Sequence, residues 1–258
     1  MLFKYLKYKL TASHKGGHGI HSPFVFKLLT EIIENFGQYY SYQEIEDLRI
    51  ELQNDKRKIE ITDLGAGSKL LTARSRKISD IAKKSSIKKT FGEMLFRLVN
   101  YFQPKTILEL GTSLGLSTCY LAKANSRSKI FTIEGCPETA KIAKENFQKM
   151  EIKNVTQFIG NFNELLPQII EEQKNIDFVF FDGNHAKQPT IEYFNLCLKA
   201  VNNNTVFIFD DIHWSEGMEE AWKVIQNNEK VKVTIDLFFM GLVFFRKEMQ
   251  KENYIINF

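Results

Sequence analysis

The stretch from Thr106 to Leu121 constrains this chain more than any other. A short apolar strand, Thr106-Ile-Leu-Glu-Leu110, runs into a glycine turn, and the turn opens directly into a helix. An acid, Glu134, follows 23 positions after Gly111, at the end of a second apolar run, Lys129-Ile-Phe-Thr-Ile-Glu134. That order predicts two parallel strands with a nucleoside-like ligand across their carboxyl ends. Gly111 and Gly115 lack a Cβ, so the backbone can come close to such a ligand. Glu134 can accept hydrogen bonds from both hydroxyls of a ribose. A buried strand and turn with no ligand would share the apolar run, but the rest of the chain keeps the same register.

The glycine spacing discriminates between ligands. Dinucleotide sites want Gly-x-Gly-x-x-Gly, because a pyrophosphate sits against helix amides. Here the spacing is Gly-x-x-x-Gly, and Glu109 stands two residues before the first glycine. A carboxylate there repels a pyrophosphate and suits a ligand with an ammonium group. S-adenosylmethionine fits, with its amino-acid tail, sulfonium centre and lack of phosphate. The segment resembles the first motif of class I S-adenosylmethionine-dependent methyltransferases, and Glu134 is similar to that family's ribose-binding acid. The resemblance covers roughly residues 90 to 247. It implies cofactor contacts at Glu109, Gly111, Ser113, Gly115, Ser117, Glu134, Gly135, Asn161 and Asp182, with Asn161 near the adenine and Cys136-Pro137 bordering the adenosine.

With 258 residues, 43% of them hydrophobic, the chain can build one large domain, or one domain with an extension, around a sizeable core. No apolar run reaches the about 20 residues that span a bilayer. The opening Met-Leu-Phe-Lys-Tyr-Leu-Lys-Tyr-Lys alternates aromatic and basic residues, without the apolar stretch and cleavage site of a signal peptide. Cys119, Cys136 and Cys197 show no paired spacing, which suits a reducing cytoplasm rather than a disulfide frame. The expected setting is therefore cytoplasmic, with no membrane partner. A net charge of +4 is too mild to argue for nucleic acid.

Strands are expected at Thr106–Leu110, Lys129–Glu134, Val155–Gly160, Ile176–Asp182, Thr205–Asp210, Lys232–Leu237 and Leu242–Arg246. Helices are expected near Leu116–Ala124, Pro137–Lys149, Glu164–Gln173, Pro189–Val201 and Glu216–Asn227. Continuous apolar runs such as Phe178-Val-Phe-Phe181 suit strands buried on both faces. The alternation predicts an α/β, doubly wound, Rossmann-like sheet. The link from Phe238 to Gly241 is short, so the last two strands should pair antiparallel. Seven strands ending in an antiparallel hairpin are similar to the class I methyltransferase fold. Residues 1–104 differ, with amphipathic helices at Phe24–Asn35, Tyr42–Leu52, Ile78–Lys84 and Phe91–Phe102. The expected organisation is an N-terminal helical extension or lid over 1–104 and a Rossmann-like methyltransferase domain over 105–258. The terminal stretch Arg246–Phe258 either docks as a tail or frays.

Phe180-Phe-Asp-Gly-Asn-His185 ends the fourth strand, and Phe209-Asp-Asp-Ile-His-Trp214 ends the fifth. Residues just past a strand's carboxyl end face the ligand crevice. Asp182, His185, Asp210 and Asp211 are therefore the candidates for chemistry. Clustered carboxylates repel one another unless a cation or protons neutralise them. Oxygen donors at that density favour Mg²⁺, Mn²⁺ or Ca²⁺. The pattern resembles the metal-dependent branch typified by catechol O-methyltransferase, in which an aspartate after the fourth strand and an Asp-Asn pair after the fifth hold Mg²⁺. The resemblance implies metal ligands at Asp182, Asp210 and Asp211. Here the pair is Asp-Asp, and the family's catalytic lysine, three residues after its first metal aspartate, is replaced by His185. A histidine can take a proton from a hydroxyl near neutrality, or can itself bind a metal such as Mn²⁺, Fe²⁺ or Zn²⁺. In a metal-free alternative Asp182 caps the next helix or binds water, and Asp210 contacts the cofactor side. His213 and Trp214 are expected to wall the pocket.

Two further stretches stand out. Asp63-Leu-Gly-Ala-Gly67 imitates a glycine motif, but a basic run follows it and no acidic strand end comes about 20 residues on. It reads as a loop near the lid, with Arg74, Arg76 or Lys77 as alternative substrate contacts. His14-Lys-Gly-Gly-His-Gly-Ile-His-Ser-Pro-Phe24 holds three histidines in a glycine-rich turn. Ser22 can cap the helix that follows, with Pro23 at its first position. With Lys15 the histidines could clamp an anionic acceptor, hold a metal or simply form a structural loop.

The leading expectation is transfer of a methyl group from S-adenosylmethionine to a small-molecule acceptor. The acceptor atom is expected to be oxygen, with Asp182 and His185 catalytic and Mg²⁺ or Mn²⁺ as the candidate metal. A nicotinamide-dependent oxidoreductase is opposed by Glu109 and the missing third glycine. A non-catalytic cofactor-binding module is opposed by the intact Glu109, Gly111, Glu134 and Asp182 set. RNA or protein methylation lacks an Asn-Pro-Pro-Tyr-type motif and a dense basic stripe. A homodimer is left open.

Overall fold

The structure, a computed structural model, describes residues 2–13, 15–62 and 75–258. Along the chain come α1 (Leu2–Thr11), α2 (Pro23–Lys27), which continues as a wider π-type turn over Leu28–Ile33, α3 (Tyr40–Asn54), β1 (Lys58–Glu60), β2 (Ser75–Lys77), α4 (Ile78–Lys84) and α5 (Lys89–Phe102). Strands and helices then alternate: β3 (Thr106–Leu110), α6 (Leu116–Ala124), β4 (Lys129–Glu134), α7 (Pro137–Lys149), β5 (Val155–Ile159), α8 (Phe162–Gln173), β6 (Phe178–Phe181), α9 (Lys187–Cys197), β7 (Val206–Asp210) and α10 (Glu216–Asn227). Three strands close the chain: β8 (Val233–Asp236), β9 (Met240–Phe244) and β10 (Glu252–Ile255). Residues 36–165 form one compact unit, and residues 1–35 with 166–258 form another.

In the 36–165 unit, β3, β4 and β5 pair in parallel, with Thr106 opposite Lys129 and Glu134 opposite Ile159. Parallel strands need a crossover between them, and α6 and α7 supply it. The strands hold because Ile107, Leu108, Leu110, Ile130 and Ile133 are buried, as the unbroken apolar runs require. Helix α3 buries Tyr42, Ile45, Leu48 and Leu52, a stripe at helical spacing. It is tied to α6 by Tyr120, whose hydroxyl donates to Glu46 at 2.7 Å, and by the Lys123–Glu44 pair at 2.9 Å. Strands β1 and β2 pair antiparallel, with Ile59 opposite Arg76.

In the other unit, β6 and β7 pair in parallel, and β9 lies antiparallel between β7 and β8. The expected terminal hairpin therefore forms. Strand β9 starts at Met240, before the expected Leu242, because the Leu237 N–H bonds the Met240 carbonyl at 2.8 Å and closes the link tightly. Helix α9 stops at Cys197, short of the expected Val201, where Ala200 N–H turns back to the Cys197 carbonyl at 3.0 Å. The core here is aromatic: Phe178, Phe180, Phe207 and Phe209 are buried, and Phe181 stacks on Phe209 with centroids 4.2 Å apart. Each such ring contributes about 2–3 kcal/mol of burial.

Both ends of the chain dock on this unit. The terminal stretch does not fray; it becomes β10, parallel to β8. Helix α1 lies against it, with the Tyr8 hydroxyl donating to the Ile256 carbonyl and Tyr5 edge-on to Phe238 at 5.0 Å. Ser22 accepts from Val25 N–H and Pro23 opens α2, as expected, a cap that stabilises by about 1 kcal/mol. The three cysteines are free and buried. Among the described residues no helix is long and apolar enough to cross a membrane.

Candidate functional site

Glu109 is completely buried on β3. Its Oε2 accepts from Thr118 at 2.5 Å and from Thr132 at 2.7 Å, and Ser117 hydrogen-bonds the same carboxylate. Oε1 is buried with no hydrogen-bond partner. Burial raises its pKa to about 7, against the pull of those three hydroxyls. A carboxylate with one oxygen clamped and one left over is built to meet a cationic group. Thr132 stands directly opposite Glu109 in the β3–β4 register, so aligning the two strand runs would have found it; the sequence reading missed it.

Glu134 ends β4. Its Oε2 accepts from the Ser113 N–H at 2.7 Å and its Oε1 from the Cys136 N–H at 3.0 Å. Two backbone amides thus fix the orientation of the carboxylate. Ser113 contributes through its backbone, held at φ +49. Gly111 has φ +104, a conformation that only glycine adopts freely. Gly115 also has positive φ, +82, but a Cβ there would meet the Phe147 ring at 2.6 Å. Its glycine is required by the packing of α6 against α7, a reason the motif reading did not foresee. Gly135 lies in the turn before α7. Asn161 accepts at Oδ1 from Asn163 N–H at 2.9 Å and so starts α8.

In the other unit, Asp182 follows β6, Asp210 ends β7 and Asp211 follows it at φ +54. Burial, then the charges of Asp182 and Asp211, hold the Asp210 carboxyl well above the usual carboxylate range, and Asp182 hydrogen-bonds it. His185 Nε2 lies 3.6 Å from Asp182 Oδ1, an electrostatic pair rather than a hydrogen bond. The structure thus brings Asp182, His185, Asp210 and Asp211 into mutual electrostatic range. Among the described residues, however, no group of three or more His, Cys, Asp or Glu is arranged to hold a metal ion.

His213 is not a free pocket wall. Its Nε2 sits 2.7 Å from Asp236 Oδ2 and its Nδ1 3.1 Å from Glu219 Oε1, with the ring stacked on Phe238 at 5.1 Å. Burial lowers its pKa, but those two carboxylates outweigh burial and raise it. Trp214 is exposed. His18 and His21 are exposed around Ile20, while His14, the Asp63–Gly67 motif and Arg74 lie outside the described residues. Arg76 and Lys77 belong to β2, which pairs antiparallel with β1.

Residues 108–212 match the family model of a methyltransferase domain. The chain is 32% identical over 130 residues to a catechol O-methyltransferase of Niastella koreensis, covering 49% of this chain and 58% of that one. It is 27% identical over 123 residues to a catechol O-methyltransferase of Mycobacterium tuberculosis, covering 47% of this chain and 54% of that one. The chain thus spans between half and three-fifths of the length of these curated relatives. An O-methyltransferase of Bacillus cereus in complex with S-adenosylhomocysteine has the same fold, with a TM-score of 0.57 at 21% identity over 86% of this chain and 97% of that one. The fold is the Rossmann-like one of that O-methyltransferase, and residues 108–212 carry the match to a methyltransferase domain. Over that matched stretch the chain is similar to catechol O-methyltransferases, and the solved O-methyltransferase shares its fold.

Proposed function

We propose that the chain methylates a hydroxyl of a small aromatic acceptor, using S-adenosylmethionine. The observation that carries this reading is the pair of acids on adjacent parallel strands. Glu109 offers a buried, unpartnered Oε1 to an ammonium group, and Glu134 is fixed by two amides to receive ribose hydroxyls. These residues fit the cofactor's two polar ends. When bound, S-adenosylmethionine supplies an electrophilic methyl group for in-line displacement. What this chain supplies besides binding is proton removal and orientation of the acceptor. His185 takes the hydroxyl proton on Nδ1, because Nε2 faces Asp182. Asp182 stabilises the imidazolium that results. The oxygen acceptor and its aromatic class are inferred from the curated relatives.

A divalent cation would be a second occupant of the acidic cluster, since burial first and then the charges of Asp182 and Asp211 disfavour an ionised Asp210 without one. Asp182, Asp210 and Asp211 would hold it, completed by water, and it would lower the acceptor's pKa. As they stand, these side chains do not form a three-ligand group, so the proton path above runs through His185 alone.

The test is turnover with S-adenosylmethionine and catechol or caffeate, in chelator and again with Mg²⁺ or Mn²⁺. Acceptor-dependent formation of methylated phenol and S-adenosylhomocysteine is expected, with His185→Asn at least about 100-fold slower. No acceptor-dependent product under any condition contradicts the reading. Activity that appears only with metal assigns the proton path to the cation.

A further inference from the structure

Asn184 makes the turn between Asp182 and His185 with φ +52. The left-handed region costs a non-glycine residue on the order of 1 kcal/mol, and asparagine bears it better than most. Two hydrogen bonds hold it there. Its carbonyl accepts from the Ala186 N–H at 2.6 Å, and its Nδ2 donates to the Tyr193 hydroxyl at 3.2 Å. Tyr193 lies on α9 and is only 3% exposed, so its hydroxyl is a fixed anchor rather than a solvent group. Tyr193 and His185 also line one small cavity, of about 10 Å³, with Gly183 and Asp210. That volume suits about one water.

We propose that Tyr193 is a positioning residue for His185. Its hydroxyl holds the Asn184 amide, the amide holds the left-handed turn, and the turn aims the imidazole at Asp182. Without the hydroxyl, Asn184 loses a buried partner and the reason to stay in a disfavoured conformation. Its relaxation would swing the Cβ of the next residue, His185. This rests on the reading of His185 as proton acceptor, but its test does not depend on turnover.

The experiment compares ¹⁵N-histidine side-chain spectra of the full chain, Tyr193→Phe, Asn184→Ala and the double variant at one pH; alanine lacks the amide and disfavours positive φ. His213, held by Asp236 and Glu219 in the same unit, is the internal control. The expected result is displaced or broadened His185 signals in each single variant, no further change in the double, and unmoved His213 signals. Where the chain turns over, kcat should fall about tenfold with KM for S-adenosylmethionine unchanged. His185 signals superimposable on wild type in both single variants overturn the proposal. If Tyr193→Phe moves His213 as well, it has disturbed the unit, and Asn184→Ala, which leaves Tyr193 in place, decides alone. A chain with no methyl transfer but with displaced His185 signals removes the functional reading and leaves the positioning intact.

Discussion

Glu109 shows how one residue ties electrostatics to binding. In the folded protein burial raises its pKa from the ordinary 4.5 to about 7. A raised carboxyl pKa favours the folded state only while the group is protonated. Its contribution is thus fully present below about 4.5 and is lost as pH rises through about 7. An ammonium group at Oε1 reverses the bias and draws the carboxyl back to its charged form. Cofactor binding at pH 6 should therefore release a proton, approaching one per site, and at pH 8.5 almost none. Binding heats measured in buffers of different ionisation enthalpy report this directly. Glu109→Gln should abolish the difference between the two pH values; a release that persists in that variant belongs to another group.

At the scale of elements, the strand–turn–helix of β3 and α6 is fixed from two sides. Gly111 and Gly115 both stand at positive φ, and Gly115 also leaves room for Phe147 on α7. Gly115→Ala adds backbone strain and an overpacked contact, together about 2–4 kcal/mol. Urea unfolding should show that loss as a lower midpoint at unchanged slope. An unaltered midpoint would mean that the Phe147 ring moves aside freely. The strands of the alternating region were legible in sequence because burial on both faces writes an unbroken apolar run, as in Phe178–Phe181. The docked ends were not. Helix α1 docks on residues more than 200 positions away, such as Tyr8 on Ile256, and β10 joins β8 by a short parallel crossover, and no local pattern encodes either pairing. Strands β1 and β2, three residues each, are too short to carry a period.

For the whole molecule, the resemblance to methyltransferases was legible from the Gly-x-x-x-Gly turn with Glu109 and Glu134, because each residue there is constrained by backbone geometry or by a charge. The acidic cluster was less so. Sequence order put Asp182, Asp210 and Asp211 at strand ends, but whether three side chains converge as ligands depends on rotamers and on turns such as Asp211 at φ +54. The docked ends carry a prediction of their own. Deleting residues 252–258 removes β10 and with it Ile256, which is fully buried, and Tyr254, which is 8% exposed. Stability should fall by about 3–5 kcal/mol, seen as a lower Tm. An unchanged Tm would show that β10 adds nothing to its unit.

In the proposed function Glu134, fixed by the Ser113 and Cys136 amides, holds the ribose of S-adenosylmethionine or its product. Calorimetric titration of S-adenosylhomocysteine into the full chain and into Glu134→Ala tests it most directly. The expected result is a Kd of about 1–100 µM for the wild type and at least about 100-fold weaker binding for the variant, from the loss of two charge-assisted hydrogen bonds. Equal affinity in the two proteins, or no binding to well-folded wild type, would contradict it.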